Sequence, residues 1–345
     1  MTNRIKSIKL EDLAVKLNVS KVTISKALRN HPDISVDMKR KVKELADKLG
    51  YMPNFMAKNL SSRRSNIIGV VVPKIAHFFF ASVIESIYDT ALENNYEIVL
   101  MVSQEMAERE RKHILSLLSM RVDGLIVSIT QETKDLSVFR QIQKRKVPLV
   151  FIDRVPNLKN VPSVTVDDKG GAYTAVEYFL KKGIKKIGHI GGYTYINIGK
   201  QRFEGFYEAM KDNKVPVNPN WVVEGGFGEE DGYKAFIEMY DRGSLPAAIL
   251  AVTYPVALGM YEAALDKGIR IPEDIIVTCF GNNNFKHLVP SMFNFVDQPT
   301  IELGRESVNL VLKILNSHKP VHSENIQLKT KLLLRGNGQR SEWVA

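Results

Sequence analysis

The feature that most limits how this chain can fold begins at residue 66, where short apolar runs alternate with amphipathic stretches at helical spacing. Strands are expected at 67–73, 97–102, 124–129, 148–153, 163–166, 186–190, 221–224, 247–252 and 275–280. Helices are expected between them at 81–94, 107–120, 136–144, 172–181, 201–212, 231–240 and 256–266. Runs of Val, Ile and Leu without polar alternation suit strands covered on both faces, and strand–helix alternation gives parallel sheets. The pattern comes in two blocks, so the α/β body is expected to form two doubly wound parallel-sheet lobes. Ligands of such sheets bind beyond the carboxyl ends of the strands, which predicts a cleft lined by the loops after the strands of both lobes.

The first 65 residues differ in character. Of the net charge of +10, nine units lie there, from 15 Lys and Arg against 6 Asp and Glu. A basic module on a nearly neutral body suits a polyanion-binding head, because neutralising phosphates releases condensed counterions. Beneath that charge Leu10, Leu13, Ala14 and Leu17 form one helical stripe, and Asn18-Val19-Ser20 breaks it. A second helix then buries Ile24, Ala27 and Leu28. Ser20 is placed as its N-cap, and Lys21, Val22, Ser25 and Lys26 are left facing outward. Such a pair is a helix-turn-helix, whose second helix enters the major groove of double-stranded operator DNA. Thr23 and Asn30 complete the candidate DNA contacts on this element. A third helix is expected after Ser35, with Val42, Leu45, Ala46 and Leu49 inward and Gly50 past its end. A three-helix bundle without DNA contacts is the competing reading of this segment.

Three stretches together carry a family resemblance: residues 10–28, the run Gly50-Tyr51-x-Pro53-Asn54-x-x-Ala57-x-x-Leu60, and Ile68-Gly69-Val70-x-Val72-Pro73. They resemble the lactose-repressor/galactose-repressor (LacI-type) family over nearly the whole chain. The resemblance implies a helix-turn-helix head at 1–50, a hinge at 51–65 and an effector-binding and dimerisation body at 66–345. It implies two lobes of the periplasmic-binding-protein type, at 66–162 with 296–322 and at 163–295 with 323–345. The chain would cross between them three times, with 300–316 returning to the first lobe as a helix. It also implies a homodimer whose hinge helix contacts DNA through Asn54, Ala57 and Leu60, with Leu60 as an apolar wedge in the minor groove. Packing of the head on the body is the other reading of Leu60. Lys9 departs from the family, which places a Thr or Ser cap there; Ser7 is the expected substitute.

For the cleft, loop position nominates His77, Phe78 and Phe79 after the first strand, Ser128 after the third and Asp153 after the fourth. Aromatic rings there could stack on a sugar face, although Phe79 could equally pack the core and His77 could be a loop surface residue. Arg202, in Arg-x-x-Gly205, matches the family arginine that holds the effector by paired hydrogen bonds; an inter-lobe ion pair is its alternative role. Tyr254 and Asn282 complete the effector set, in two places that depart from the family pattern. Thr253-Tyr254 stands where Asn-Asp is common, and Gly281-Asn282 where Asp-Asp follows Phe. Two acid positions are lost while Arg202 stays, so the effector, sugar-derived by resemblance, is expected to be a sugar acid or sugar phosphate more than a neutral sugar.

Catalysis finds no support. Gly188-His189-Ile190-Gly191-Gly192 lacks the spacing of a dinucleotide fingerprint, and phosphate loops, nucleophile elbows and His-Glu-x-x-His are missing. Cys279 stands alone in an apolar run, which excludes an internal disulfide or a cysteine zinc cluster and suits a buried hydrophobe. The basic first nine residues are followed by no apolar stretch of signal-peptide type. The expected protein is a cytoplasmic regulator without cofactor, metal or membrane partner.

Overall fold

The computed structural model describes residues 8–51, 64–76, 78–281, 292–317, 324–334 and 342–344. Contacts divide the chain into two units, Met1–Ser65 and Asn66–Ala345.

In the first unit α1 (Leu10–Leu17), α2 (Lys21–Leu28) and α3 (Val36–Leu49) close on one core. Leu13, Ile24 and Val42, one from each helix, are fully buried, and Ala14, Ala27 and Ala46 let the backbones approach. Asn18 turns the chain between α1 and α2 in the left-handed region at φ 50°. The Ser20 hydroxyl accepts from Thr23 N–H at 3.0 Å, and the Ser35 hydroxyl from Met38 N–H at 3.3 Å, each satisfying a donor at a helix start. Gly50, at φ 63°, ends α3, and Tyr51 N–H closes the turn onto the Ala46 carbonyl. Lys9 supplies no side-chain cap; the Asp12 carboxylate accepts from Lys9 N–H at 2.7 Å instead. Ser7, the expected substitute, lies outside the described residues.

The second unit holds two sheets. The first is wholly parallel, in the order β11-β5-β4-β3-β1-β2. Its strands are β1 (Ile67–Val72), β2 (Glu97–Val102), β3 (Gly124–Val127), β4 (Leu149–Ile152), β5 (Ser163–Val166) and β11 (Asn325–Leu328). The helices α4 (Phe78–Glu93), α5 (Ala107–Ser119), α6 (Ser137–Lys144) and α11 (Thr300–Asn316) belong with it. The second sheet runs β13-β12-β10-β9-β8-β6-β7. Its strands β6 (Ile187–Gly192), β7 (Val222–Gly225), β8 (Ala248–Ala251), β9 (Ile276–Phe280) and β10 (Phe293–Asp297) are parallel. The strands β12 (Lys331–Leu334) and β13 (Glu342–Val344) join antiparallel at its edge. The helices α7 (Asp168–Lys181), α8 (Asn197–Asp212), α9 (Glu229–Asp241) and α10 (Tyr254–Asp266) belong to this lobe.

The lobe boundaries expected from the sequence move. β5 and β11, assigned to the second lobe, are strands of the first sheet, and all of β10 belongs to the second. The link from β4 to β5 contains no helix, so helical periodicity gave no sign of which sheet β5 joins. The chain does cross three times, after β5, β10 and β11. Two of the crossings are tied together: Asp167 N–H donates to Leu328 O at 2.8 Å. Helices α4, α7 and α8 also start three to four residues before their expected positions. At α7 the reason is a cap, since Asp167 Oδ1 accepts from Gly170 N–H at 2.9 Å and draws the two glycines into the first turn.

Because Ile24 has no surface exposure and the head core is small, Ile24→Ala should destabilise the first unit by about 2–5 kcal/mol. Amide hydrogen exchange should show protection falling across α1 to α3 while β1 and β8 keep theirs.

Candidate functional site

On the head, Lys21 and Val22 open α2 at its exposed start, with Val22 63% exposed. An apolar side chain this open at the first turn of the second helix is placed to meet a partner. Lys21 reaches Glu11 at 2.5 Å and Lys26 reaches Asp33 at 2.9 Å. Exposed pairs of this kind are worth under about 1 kcal/mol, so phosphates or base edges can displace them. The Ser20 and Thr23 hydroxyls bond each other at 2.8 Å, and the Ser25 hydroxyl accepts from Arg29 at 3.1 Å. Asn30, at φ 55°, is exposed just past the end of α2. Asn54, Ala57 and Leu60 lie outside the described residues.

In the second unit a cavity lies between the two sheets, with about 780 Å³ of space between its walls when the open solvent at its mouth is included. Its walls come from beyond the carboxyl ends of strands in both lobes. Lys74, Phe78 and Phe79 follow β1, Glu105 follows β2, Gln131 follows β3, and Asp153 and Arg154 follow β4. From the other lobe come Phe227 and Asp231 after β7, Thr253 and Tyr254 after β8, Phe280 and Gly281 at the end of β9, and Gln298 after β10. Arg202 of α8 lies at the floor, 2% exposed.

Arg202 is held from three sides. Its Nε and Nη2 donate to Asp168 Oδ1 at 2.7 and 2.6 Å, and its Nη1 donates to Val252 O at 2.5 Å. The guanidinium lies 3.9 Å from the Phe280 ring centroid. Hydrogens on both terminal nitrogens are left over from these bonds. Burial pushes the Asp168 carboxyl up to about 6 against the pull of Arg202, and its Oδ2 has no protein partner. Asp153 is likewise pushed up by burial, with Arg154 and Arg202 opposing.

Two contacts join the lobes across the cavity. Arg154 bonds both carboxylate oxygens of Glu105, at 2.8 and 2.9 Å, and lays its guanidinium over Phe227 of the opposite lobe at 4.5 Å. Asn197, opening α8, donates to Asp153 O and accepts from Val155 N–H, both at 2.9 Å. Asp153 holds φ at 56°, an unfavourable value for a non-glycine residue that the surrounding bonds enforce. Behind this wall Glu110 is 2% exposed and accepts from Thr130 N–H at 2.7 Å and from the Thr133 hydroxyl at 2.9 Å. Burial pushes its carboxyl up from 4.5 to about 7 despite both bonds.

The family described as "Periplasmic binding proteins and sugar binding domain of LacI family" matches residues 65–335, and "Bacterial regulatory proteins, lacI family" matches residues 9–54. The chain belongs to the LacI family of transcriptional regulators. The regulator is 28% identical to catabolite control protein A of Priestia megaterium over 95% of its own length and 98% of that protein's. It is 30% identical to the transcriptional repressor PurR of Haemophilus influenzae, over 90% and 91%. Among solved structures, the lac repressor dimer bound to operator and the anti-inducer ONPF superposes with a TM-score of 0.83 at 23% identity, covering 96% of this chain and 98% of that one. These relatives are regulators of transcription, not enzymes, and the helix-turn-helix head and the two-lobed α/β body are the two parts that the family models match. No helix among the described residues is long and apolar enough to cross a membrane.

Of the cleft residues named from the sequence, the regulator brings Phe78, Phe79, Asp153, Arg202 and Tyr254 to one cavity. Ser128 does not line it; fully buried, its hydroxyl lies 3.5 Å from Arg154 N. His77 and Asn282 lie outside the described residues. Sequence reasoning missed Phe227, Asp231, Glu105 and Gln298, although the first two follow a short strand and could have been found by applying the strand-end rule to β7. Glu105 could have been found in the same way, since it lies three residues beyond the end of β2, where Gln104 and Glu105 both take left-handed φ values, 53° and 61°.

The raised Glu110 carboxyl sets a pH dependence. Its folded pKa exceeds the unfolded one, so its contribution is complete below about 4.5 and is lost as pH rises through about 7. Glu110→Gln keeps an acceptor for Thr130 and removes the titration. The melting temperature of Glu110→Gln relative to the native regulator should therefore rise between pH 5 and pH 8, by a difference worth up to about 3 kcal/mol.

Proposed function

We propose that the regulator is a repressor that reads operator DNA with α2 in the major groove, and that a neutral, polyhydroxylated sugar in the inter-lobe cleft controls its grip. It would act as a homodimer in the cytoplasm, its two α2 helices addressing half-sites about 34 Å apart, one helical turn of DNA. The observation that carries the effector reading is the charge balance of the cavity. Arg202 is matched by Asp168 and Arg154 by Glu105, and Asp153 and Asp231 add two more carboxylates beside Lys74. The acids missing at positions 254 and 281 are thus supplied from other strand ends, and an anionic ligand gains no net attraction. Carboxylates that accept, guanidinium hydrogens that donate and the half-buried rings of Phe79 and Tyr254 suit sugar hydroxyls and an apolar sugar face.

Gly281 suits its own backbone. It holds φ at 111°, and a Cβ there would come within 3.3 Å of the Tyr254 Cβ.

The DNA reading is checked by selection from random duplexes. Exchanging Lys21 and Val22 should change the preferred sequence, whereas Lys39→Ala or Lys41→Ala should weaken all sequences alike; an unaltered preference in the exchanged variant sinks the assignment. The effector reading is checked by calorimetry with each hexose beside its uronate and its 6-phosphate. The hexose should bind roughly tenfold more tightly than either anion. Tighter binding of an anion overturns it.

A further inference from the structure

A row of aromatic rings continues outward from the cavity. Phe227, 5% exposed, lines the cleft, and Tyr193 meets its ring edge to face at a centroid distance of 6.2 Å. Tyr195 stacks on Tyr193 at 5.1 Å and 15°, one ring further from the cavity, and remains 59% exposed. The loop that carries this pair is fixed. Thr194 donates to Glu224 Oε1 through both N–H and hydroxyl, at 2.7 and 3.1 Å, and Ile196, 2% exposed, anchors the turn with its N–H on Tyr193 O at 3.0 Å. An exposed ring held this firmly is organised before anything binds to it, which removes most of the ordering cost of a contact.

The hydroxyl end of the outer ring is within electrostatic reach of the opposite lobe. Burial, Tyr193 and the carboxylates of Glu224, Glu132 and Glu105 together push the Tyr195 hydroxyl up. Glu132 and Glu105 follow strands of the first sheet, and Glu105 lines the cavity itself. An exposed ring face, with carboxylates of both lobes near its hydroxyl end, suits a second pyranose ring, whose apolar face stacks and whose hydroxyls donate.

We propose that the Tyr193–Tyr195 stack is an outer subsite for the second ring of a disaccharide whose first ring occupies the inter-lobe cavity. The inference rests on the reading of the cleft as a sugar site. Arg202 and Phe227 line the cavity, and Tyr195 lies two ring contacts beyond Phe227, at centroid steps of 6.2 and 5.1 Å, where the second ring would sit.

Calorimetry on the full chain tests this with glucose and galactose beside maltose, cellobiose, lactose and melibiose, on the native protein, Tyr195→Ala and Tyr195→Phe. At least one disaccharide should bind roughly tenfold more tightly than its monosaccharide, the size expected of one added stacking contact. Tyr195→Ala should cut that gain to about twofold or less while leaving monosaccharide affinity unchanged, and Tyr195→Phe should keep most of it. Monosaccharide binding with no disaccharide gain, or a gain that survives Tyr195→Ala, overturns the outer subsite alone. No binding of any sugar overturns the reading of the cleft and the subsite with it.

Discussion

The second lobe converges on one guanidinium. Arg202 of α8 ties the start of α7 through Asp168, the end of β8 through the Val252 carbonyl and the end of β9 through the Phe280 ring. Taking this pair out of water is costly, and the attraction offsets that cost only when the geometry is good and the other hydrogen bonds are made. Both conditions hold here except at Asp168 Oδ2, which has no protein partner. Removing either partner would strand a charge beneath the cleft, so the strand ends that shape the floor depend on the pair remaining whole.

The cleft walls are built on a different rule. Arg154 crosses to the opposite lobe as an apolar plate over Phe227 while its charge stays with Glu105 on its own side. The ion pair is therefore internal to one lobe, and only the softer stacking contact spans the gap. Asn197 adds a directional link, with its amide donating to one backbone group of the first lobe and accepting from another two residues on. Beside these oriented groups, buried apolar side chains of both lobes belong to one cluster, with Ile129 of the first lobe and Ile196 and Ile198 of the second among them.

Most of the body was legible because parallel strands buried on both faces leave unmistakable apolar runs, as in Ile67–Val72 and Ala248–Ala251. The head was legible for another reason: Leu13, Ile24 and Val42 sit at helical spacing under a polar surface, with Ser20, Ser35 and Gly50 at the helix ends. What could not be read were the crossover strands. β11 (Asn-Ile-Gln-Leu) is a four-residue edge strand, half-buried at alternate positions, and its partner β5 is as short. Nothing in so short a pattern says which sheet accepts it. Cleft residues set by strand ends were partly legible, while those set by partner choice, such as Asp168 on Arg202, needed three dimensions. The expectation of an acidic effector leaned on Arg202, and the Asp168 carboxylate paired with it was not legible as its partner.

The triple crossing carries a mechanical consequence. A single thread between two lobes would act as a swivel, free to turn in any sense, and one cut would part them. Here the segments around Asp167 and Leu328 run hydrogen-bonded side by side, with a third connection after β10. Such a strap resists torsion more than a single thread would. Severing any one connection would leave the halves joined by the other two.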